Sequence, residues 1–323
     1  MRRYGNRVDE PPRPDTDRPL VVAFIGATGR SGSTLLSKVL DAAPGYCSVG
    51  ELCWLWNLGL LLDRPCGCGR PFLECPFWTE VGERAFGGWG NVDAARAASL
   101  RRRLSATRSL PLLLLPSGRR RADVVEYREL LRRLYTAIGE VSGAVVVVDN
   151  SKQVGSVVLA RRVPGVDLRL VHLVRRSHGV ARSWAKQVAR SDLGGGLMRR
   201  RSVGRTAAKW TLDNLCFEVI GVTGTPRTLL RYEDFVAEPV ASTRRLLEFL
   251  GGAGQVPLDF VRPDQVRLGT DHSVWGNPMR SATGWVALRA DDKWRTELGR
   301  RDRAVVSVVS VAGLLRYRYL ARR

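Results

Sequence analysis

The stretch Leu20–Leu40 constrains this chain more than any other. Leu20-Val-Val-Ala-Phe-Ile25 is an apolar run of strand length, and Leu35, Leu36, Val39 and Leu40 repeat at helical spacing. Between them Gly26-Ala-Thr-Gly-Arg30-Ser31-Gly32-Ser33-Thr34 forms a Gly-rich turn from a strand into a helix start. Such a turn aims free backbone N–H groups and the positive end of a helix dipole at one point, where a phosphate fits. The nucleotide pattern G-x-x-x-x-G-K-[ST] is not met, because Ala27 stands at its first Gly and Ser33 at its Lys. That Lys normally reaches the β- and γ-phosphates. The turn can cradle a terminal phosphate but is poorly equipped for metal-assisted phosphoryl transfer.

A second segment narrows the choice. Asp167-Leu-Arg-Leu-Val-His-Leu-Val174 is another apolar strand, followed by Arg175 and a helix carrying Ser183 eight residues on. Arg175 falls at the strand's carboxyl end, where open α/β sheets bind ligands. An Arg and a Ser two turns apart can grip a second phosphate. Together these segments resemble the PAPS-dependent sulfotransferases (PAPS is 3′-phosphoadenosine 5′-phosphosulfate). In that family an R-S-G-[ST]-[ST] loop, here Arg30-Ser31-Gly32-Ser33-Thr34, holds the 5′-phosphosulfate, and an Arg with a Ser eight residues later, here Arg175 and Ser183, holds the 3′-phosphate. Leu229-Leu-Arg-Tyr232-Glu-Asp resembles the family's strand ending in Y-E-D, whose Tyr approaches the adenine. His272-Ser-Val-Trp-Gly-Asn-Pro-Met-Arg280 resembles the late segment of bacterial members, where a basic residue closes over the 3′-phosphate. The resemblance covers most of residues 20–300 and is weakest from Pro76 to Gly143.

The resemblance implies a P-loop nucleoside-kinase-like α/β fold, a parallel sheet flanked by helices. Alternating strand and helix patterns point the same way. Expected strands are Leu20–Ile25, Ala144–Val148, Leu168–Val174 and Thr228–Arg231. Expected helices are Ser33–Asp41, Glu51–Leu62, Val154–Val163, Val180–Arg190, Ser202–Val222, Val240–Leu250 and a C-terminal one within Val305–Leu320. Pro44-Gly45 breaks the chain, and Gly194-Gly-Gly196 reads as a mobile loop. Residues 1–19, charged and Pro-rich, read as a disordered tail, and 20–323 as one domain with a helical insertion near 92–141.

Net charge is +21, from 52 Lys+Arg against 31 Asp+Glu, which attracts polyanionic nucleotides. Nucleic acid and anionic membranes compete as explanations, but only five of the 52 cations are Lys, a composition typical of an Arg-rich genome, so charge alone has little weight. No nucleic-acid partner is expected. Pro111-Leu-Leu-Leu-Leu-Pro116 is too short to span a bilayer, and Arg316 and Arg318 interrupt the apolar C-terminal run. Neither a signal peptide nor a transmembrane segment is visible, so a cytoplasmic location is expected. Of six Cys, Cys66, Cys68 and Cys75 form the one cluster; its C-x-C-x₆-C spacing is not a standard zinc pattern. A reduced loop or a disulfide using Cys75 ranks above zinc.

Sulfuryl transfer needs a held donor, a neutralised leaving oxygen and a base for the acceptor proton. No metal is required. Lys152, after Val145-Val-Val-Val-Asp149-Asn-Ser, is the best further cation, beside the donor turn. Glu51 is the chosen base, because tyrosylprotein sulfotransferases carry a Gly-Glu segment at similar spacing from their loop, and burial near Trp54 and Trp56 would raise its basicity. Among the three His, His172 reads as core, His178 is placed toward the nucleotide, and His272 is the runner-up base. The expected activity is transfer from PAPS to a hydroxyl or amine of an unidentified acceptor (sugar, phenol, lipid or natural product), leaving adenosine 3′,5′-bisphosphate. The alternatives are a small-molecule kinase with a lysine recruited from Lys38 or Lys152, or a non-catalytic nucleotide- or polyanion-binding protein.

Overall fold

Side chains on a strand alternate between faces, and in this chain both faces are apolar. Val22 and Phe24 of β1 (Leu20–Gly26) point into one core, Ala23 and Ile25 into the other. Leu168 and Leu170 against Val171 and Leu173 divide β4 (Val166–Val174) in the same way. Strands buried on both faces belong in a parallel sheet covered by helices on each side. The computed structural model, which describes residues 19–107, 110, 117–186, 189–190, 196–197, 200–251 and 256–320, has that arrangement.

Five parallel strands lie in the order β2-β3-β1-β4-β7, where β2 is Tyr46–Gly50, β3 Val146–Asp149 and β7 Arg227–Arg231. Helix α1 (Ser33–Asp41) and the Pro239–Leu250 helix cover one face. The Pro76–Phe86, Ala94–Leu104 and Gly118–Ser142 helices pack on the core of the other. Among the described residues, two small antiparallel pairs complete the strands: β5 (Ala189–Arg190) with β6 (Gly196–Leu197), and β8 (Gln265–Leu268) with β9 (Gly284–Ala287).

Several expectations are corrected. Strand β2 was not foreseen; it is five residues long, sits at the sheet edge and carries only Tyr46 and Val49 as typical strand formers. Residues 51–62 are not α-helical but wind as a 3-10 turn, Leu52–Trp54, and a π-helix, Leu55–Leu61. The helix after β4 spans Ser177–Ala185 and stops before β5 rather than reaching Arg190. The C-terminal helix is split into Arg300–Val309 and Val311–Arg316 at Ser310, whose hydroxyl bonds the Val306 carbonyl. Gly194 and Gly195, the tail 1–18 and Pro111–Pro116 lie outside the described residues. No described helix is long and apolar enough to cross a membrane.

Candidate active site

Each main candidate follows the carboxyl end of a different sheet strand. The Gly-rich turn leaves β1, Glu51 leaves β2, Lys152 lies just past β3, Arg175 leaves β4 and Tyr232 leaves β7. Parallel strands therefore bring distant residues to one edge, the edge where ligands of open α/β sheets bind.

At the centre, α1 starts on Gly32, which has φ +91 and gives no side-chain cap. Among the described residues the helix start has no side-chain cap, and its first turn carries no acidic residue. A Cβ on Gly32 would lie 2.4 Å from the Tyr232 ring, so glycine is required both by backbone and by contact. Ser31 Oγ is buried without a hydrogen-bond partner among the described residues. Ser33 and Thr34 are buried beside it. Arg30 also has a left-handed backbone, φ 77, and its guanidinium lies 5.3 Å from the centre of the Trp184 ring.

The residues of the expected second anion grip are tied directly to this turn. Arg175 donates from Nη1 to the Arg30 carbonyl at 3.0 Å, and its guanidinium lies over Tyr232 at 4.8 Å. Trp184 Nε1 donates to the Gly29 carbonyl at 3.0 Å. Ser183, its neighbour, is half-buried on the same helix. Arg182 was missed in the sequence. It shares the Asp291 carboxylate with Arg175, at 3.1 Å and 2.7 Å, and also holds Glu297 at 2.8 Å. Burial alone would raise the Asp291 carboxyl, but the two guanidiniums overcome that and hold it below its ordinary value. A carboxylate thus stands between two arginines at the expected 3′-phosphate grip.

Glu51 and Lys152 form an ion pair at 2.6 Å. Lys152 adopts φ 63, an uncommon conformation for a residue with a side chain. Asp149 supports the turn before it, accepting from Ser151 N at 2.8 Å and Tyr135 Oη at 2.7 Å. Burial pushes the Asp149 carboxyl above its ordinary value, against these donors. A one-residue bulge between Ser48 and Gly50 aims Glu51, whose second oxygen accepts from Trp54 Nε1 at 3.2 Å. Gly50, φ +65, could carry no side chain there, since a Cβ would lie 2.8 Å from the Trp275 carbonyl. Trp56, expected beside Glu51, is instead in the core against Phe86.

Two cavities meet at this pair. One, about 190 Å³, is lined by the Gly29–Thr34 turn, Glu51, Lys152, Trp184 and Trp275. The other, about 430 Å³, shares Gly29, Glu51, Trp54, Lys152 and Trp184 with it and adds Arg101, Arg201, Lys209 and Asp213. Arg101 lies 4.1 Å over Trp54 and has a buried Nε without a partner among the described residues. A third cavity, lined by Arg162, Val166, Asp167 and Pro226, opens at the other end of β4.

The remaining sequence candidates have partners of their own. Arg280 is buried beside the Gly276 segment that also meets Thr34, and its guanidinium donates to the Pro65 carbonyl at 2.9 Å and the Val274 carbonyl at 3.4 Å; Arg182 is the arginine that shares Asp291 with Arg175. Lys38 is held by Asp271 at 3.0 Å and by the Gly269 and Arg280 carbonyls, so it is not a recruited nucleotide lysine. His178 bonds Ser307 and packs at a tilt against Trp294, facing the C-terminal helices rather than the turn. His272, the runner-up base, has Nδ1 turned to Cys75 at 3.3 Å and lines neither cavity at the Glu51–Lys152 pair. His172 is fully buried in β4, as expected.

No protein-family model matches the chain, and no curated protein sequence matches it. Solved structures do. The sulfotransferase domain from the curacin biosynthetic pathway superposes with a TM-score of 0.50 at 18% identity, over 91% of this chain and 98% of that one. The chain has a sulfotransferase fold. The sulfotransferase domain from the Synechococcus PCC 7002 olefin synthase gives a TM-score of 0.48 at 20% identity, over 94% and 97%. A sulfotransferase from Mycobacterium avium gives 0.40 at 13%, over 72% and 64%. Within this sulfotransferase fold, the Gly-rich turn is the connection between the central strand and α1.

Proposed function

We propose that the protein transfers a sulfuryl group from PAPS to a hydroxyl or amine. One observation carries this reading: the Arg175 guanidinium bonds the backbone of the Gly-rich turn, so the two anion grips lie side by side. That spacing suits one nucleotide with a phosphate on each side of its ribose. The uncapped start of α1 with Arg30 receives the 5′-phosphosulfate. Arg175, with Arg182 and Ser183, receives the 3′-phosphate, displacing Asp291. Tyr232, packed on Gly32, offers a face to the adenine.

In the reaction the bond from sulfur to the bridging phosphate oxygen breaks, and the acceptor oxygen or nitrogen bonds to sulfur. Lys152 moves to the leaving phosphate oxygen and neutralises it. Glu51, released from the ion pair, takes the acceptor proton. The chemistry is completed by these side chains and the α1 amides, with no step assigned to a metal. The larger cavity receives the acceptor. Five cationic side chains line it (Arg101, Arg102, Lys152, Arg201 and Lys209) against the two carboxylates Glu51 and Asp213, which favours an acceptor bearing an anionic group. A kinase reading is weaker, because Ser33 occupies the lysine position and Lys38 is committed to Asp271.

The test is direct. Adenosine 3′,5′-bisphosphate is expected to raise the melting temperature well above the effect of ATP with Mg²⁺, and Arg175→Ala to abolish that rise. Incubation with PAPS and an extract should yield a product heavier by about 80 Da, the mass of SO₃. Glu51→Gln should keep the thermal response yet lower turnover by about 10²–10⁴-fold. A stronger response to ATP with Mg²⁺ would reject the assignment.

A further inference from the structure

Two distant stretches of chain bring four metal-ligating side chains to one point, away from Glu51 and Lys152. Cys66 and Cys68 lie on the turn after the Leu55–Leu61 segment, and Cys75 stands at the start of the Pro76–Phe86 helix. His272 arrives from the connection between β8 and β9. The three sulfurs and a ring nitrogen of His272 all lie within 4.8 Å of one another. Cys68 Sγ is 3.7 Å from Cys75 Sγ, and His272 Nδ1 is 3.8 Å from Cys66 Sγ and 3.3 Å from Cys75 Sγ. A tetrahedral zinc ion with Zn–S near 2.3 Å and Zn–N near 2.0 Å separates its sulfurs by about 3.8 Å, and sulfur from nitrogen by about 3.5 Å. These three spacings agree within a few tenths of an ångström, and the other ligand pairs lie within 4.8 Å.

We propose that Cys66, Cys68, Cys75 and His272 bind a structural zinc ion. Three soft thiolates and an imidazole select zinc over hard cations such as magnesium or calcium. Four protein ligands fill a tetrahedron and leave no open position for catalysis. A disulfide would join two of the three thiols and leave the third, and the imidazole, without a task; the ion uses all four. The ligands are held in place before the ion arrives. Phe77 stacks on the His272 ring at 4.7 Å, with 12° between planes, and Trp78 Nε1 donates to the His272 carbonyl at 2.8 Å. The turn is closed by Cys66 N to the Arg70 carbonyl and by Gly67 N to the Ser273 carbonyl.

The residues after His272 reach the catalytic edge. Val274 N donates to the Val49 carbonyl, and the Trp275 carbonyl accepts from Glu51 N, both at 3.0 Å. The ion therefore clamps a late segment against the end of β2, across roughly 200 residues of chain, and cross-links over long loops remove much unfolded-state freedom. This site is independent of the sulfotransferase reading, and either can fail without the other.

The experiment uses the full chain, purified without a metal-affinity step from zinc-supplemented medium. Elemental analysis is expected to find one zinc per chain. Exchange with Co²⁺ should give the sulfur-to-metal charge-transfer and intense ligand-field bands of a tetrahedral thiolate-rich site. Cys68→Ser and His272→Asn should each lose the zinc and lower the melting temperature, while Cys47→Ser and Cys216→Ser, outside the cluster, keep it. Where a ligand variant fails to fold, the cobalt spectrum of the unsubstituted chain decides. Zinc-free protein without cobalt bands, full zinc in the Cys68→Ser/His272→Asn double variant, or a Cys68–Cys75 disulfide in the native peptide map would each overturn the proposal.

Discussion

Lys38 lies on the helix that leaves the Gly-rich turn, yet its ammonium points the other way, into Asp271 and two carbonyls. Both charged side chains are buried, 2% and 1% exposed. Removing one partner of such a pair leaves the other uncompensated, so Lys38→Met is expected to cost about 3–5 kcal/mol in a denaturant titration. A loss under about 1 kcal/mol would show that water reaches Asp271. The contrast with Ser33 explains what could be read directly from the chain. Arg30–Thr34, Arg175 and Tyr232 sit in local patterns whose backbone geometry the sequence dictates. The partnership of Arg182 with Asp291 spans 109 positions and has no local signature. Cys66, Cys68 and Cys75 were visible as a cluster, but their fourth neighbour, His272, was hidden by distance along the chain in the same way.

The segment carrying Asp291 and the Trp294–Glu297 helix acts as one element on the Arg175–Arg182 grip. If a 3′-phosphate must displace the Asp291 carboxylate, weakening that carboxylate should help the ligand. Asp291→Asn is therefore expected to bind adenosine 3′,5′-bisphosphate more tightly, by about tenfold, in a calorimetric titration. Unchanged or weaker binding would mean that Asp291 stays in place when the nucleotide binds. Strand β2 shows the complementary limit of sequence reading. The two central strands, β1 and β4, announce themselves by continuous apolar runs, because both their faces are covered. The edge strand, with Cys47, Ser48 and a bulge, carries no such run, although it determines where Glu51 points.

Across the whole molecule, two buried histidines contribute to the response to acid. Burial pushes both His172 and His178 down to about 4 from an ordinary 6.5. His172 Nε2 meets the Asn214 Oδ1 acceptor at 2.8 Å and Nδ1 meets the Arg227 guanidinium at 3.1 Å, a pairing only the neutral ring satisfies. The unfolded chain takes up these protons first. Their contribution is complete above pH 6.5 and is lost as pH falls toward 4, at most about 3 kcal/mol each. Asp41, raised by burial to about 7, works in the opposite sense over the same range. Melting temperatures of the wild type and a His172→Gln/His178→Gln variant isolate the histidine share. The wild type should fall further between neutral pH and about pH 5; equal falls would assign the acid response elsewhere.

The contact between Glu51 and Lys152 has a kinetic corollary for a protein working as proposed. Before the nucleotide binds, each of these two groups is paired with the other, and the Glu51 oxygen held by Lys152 is not available to an acceptor proton. Only an arriving nucleotide draws the lysine away, so substrates should load in a fixed order, nucleotide first. Initial-rate patterns would then show the spent nucleotide competing with its precursor and not with the acceptor.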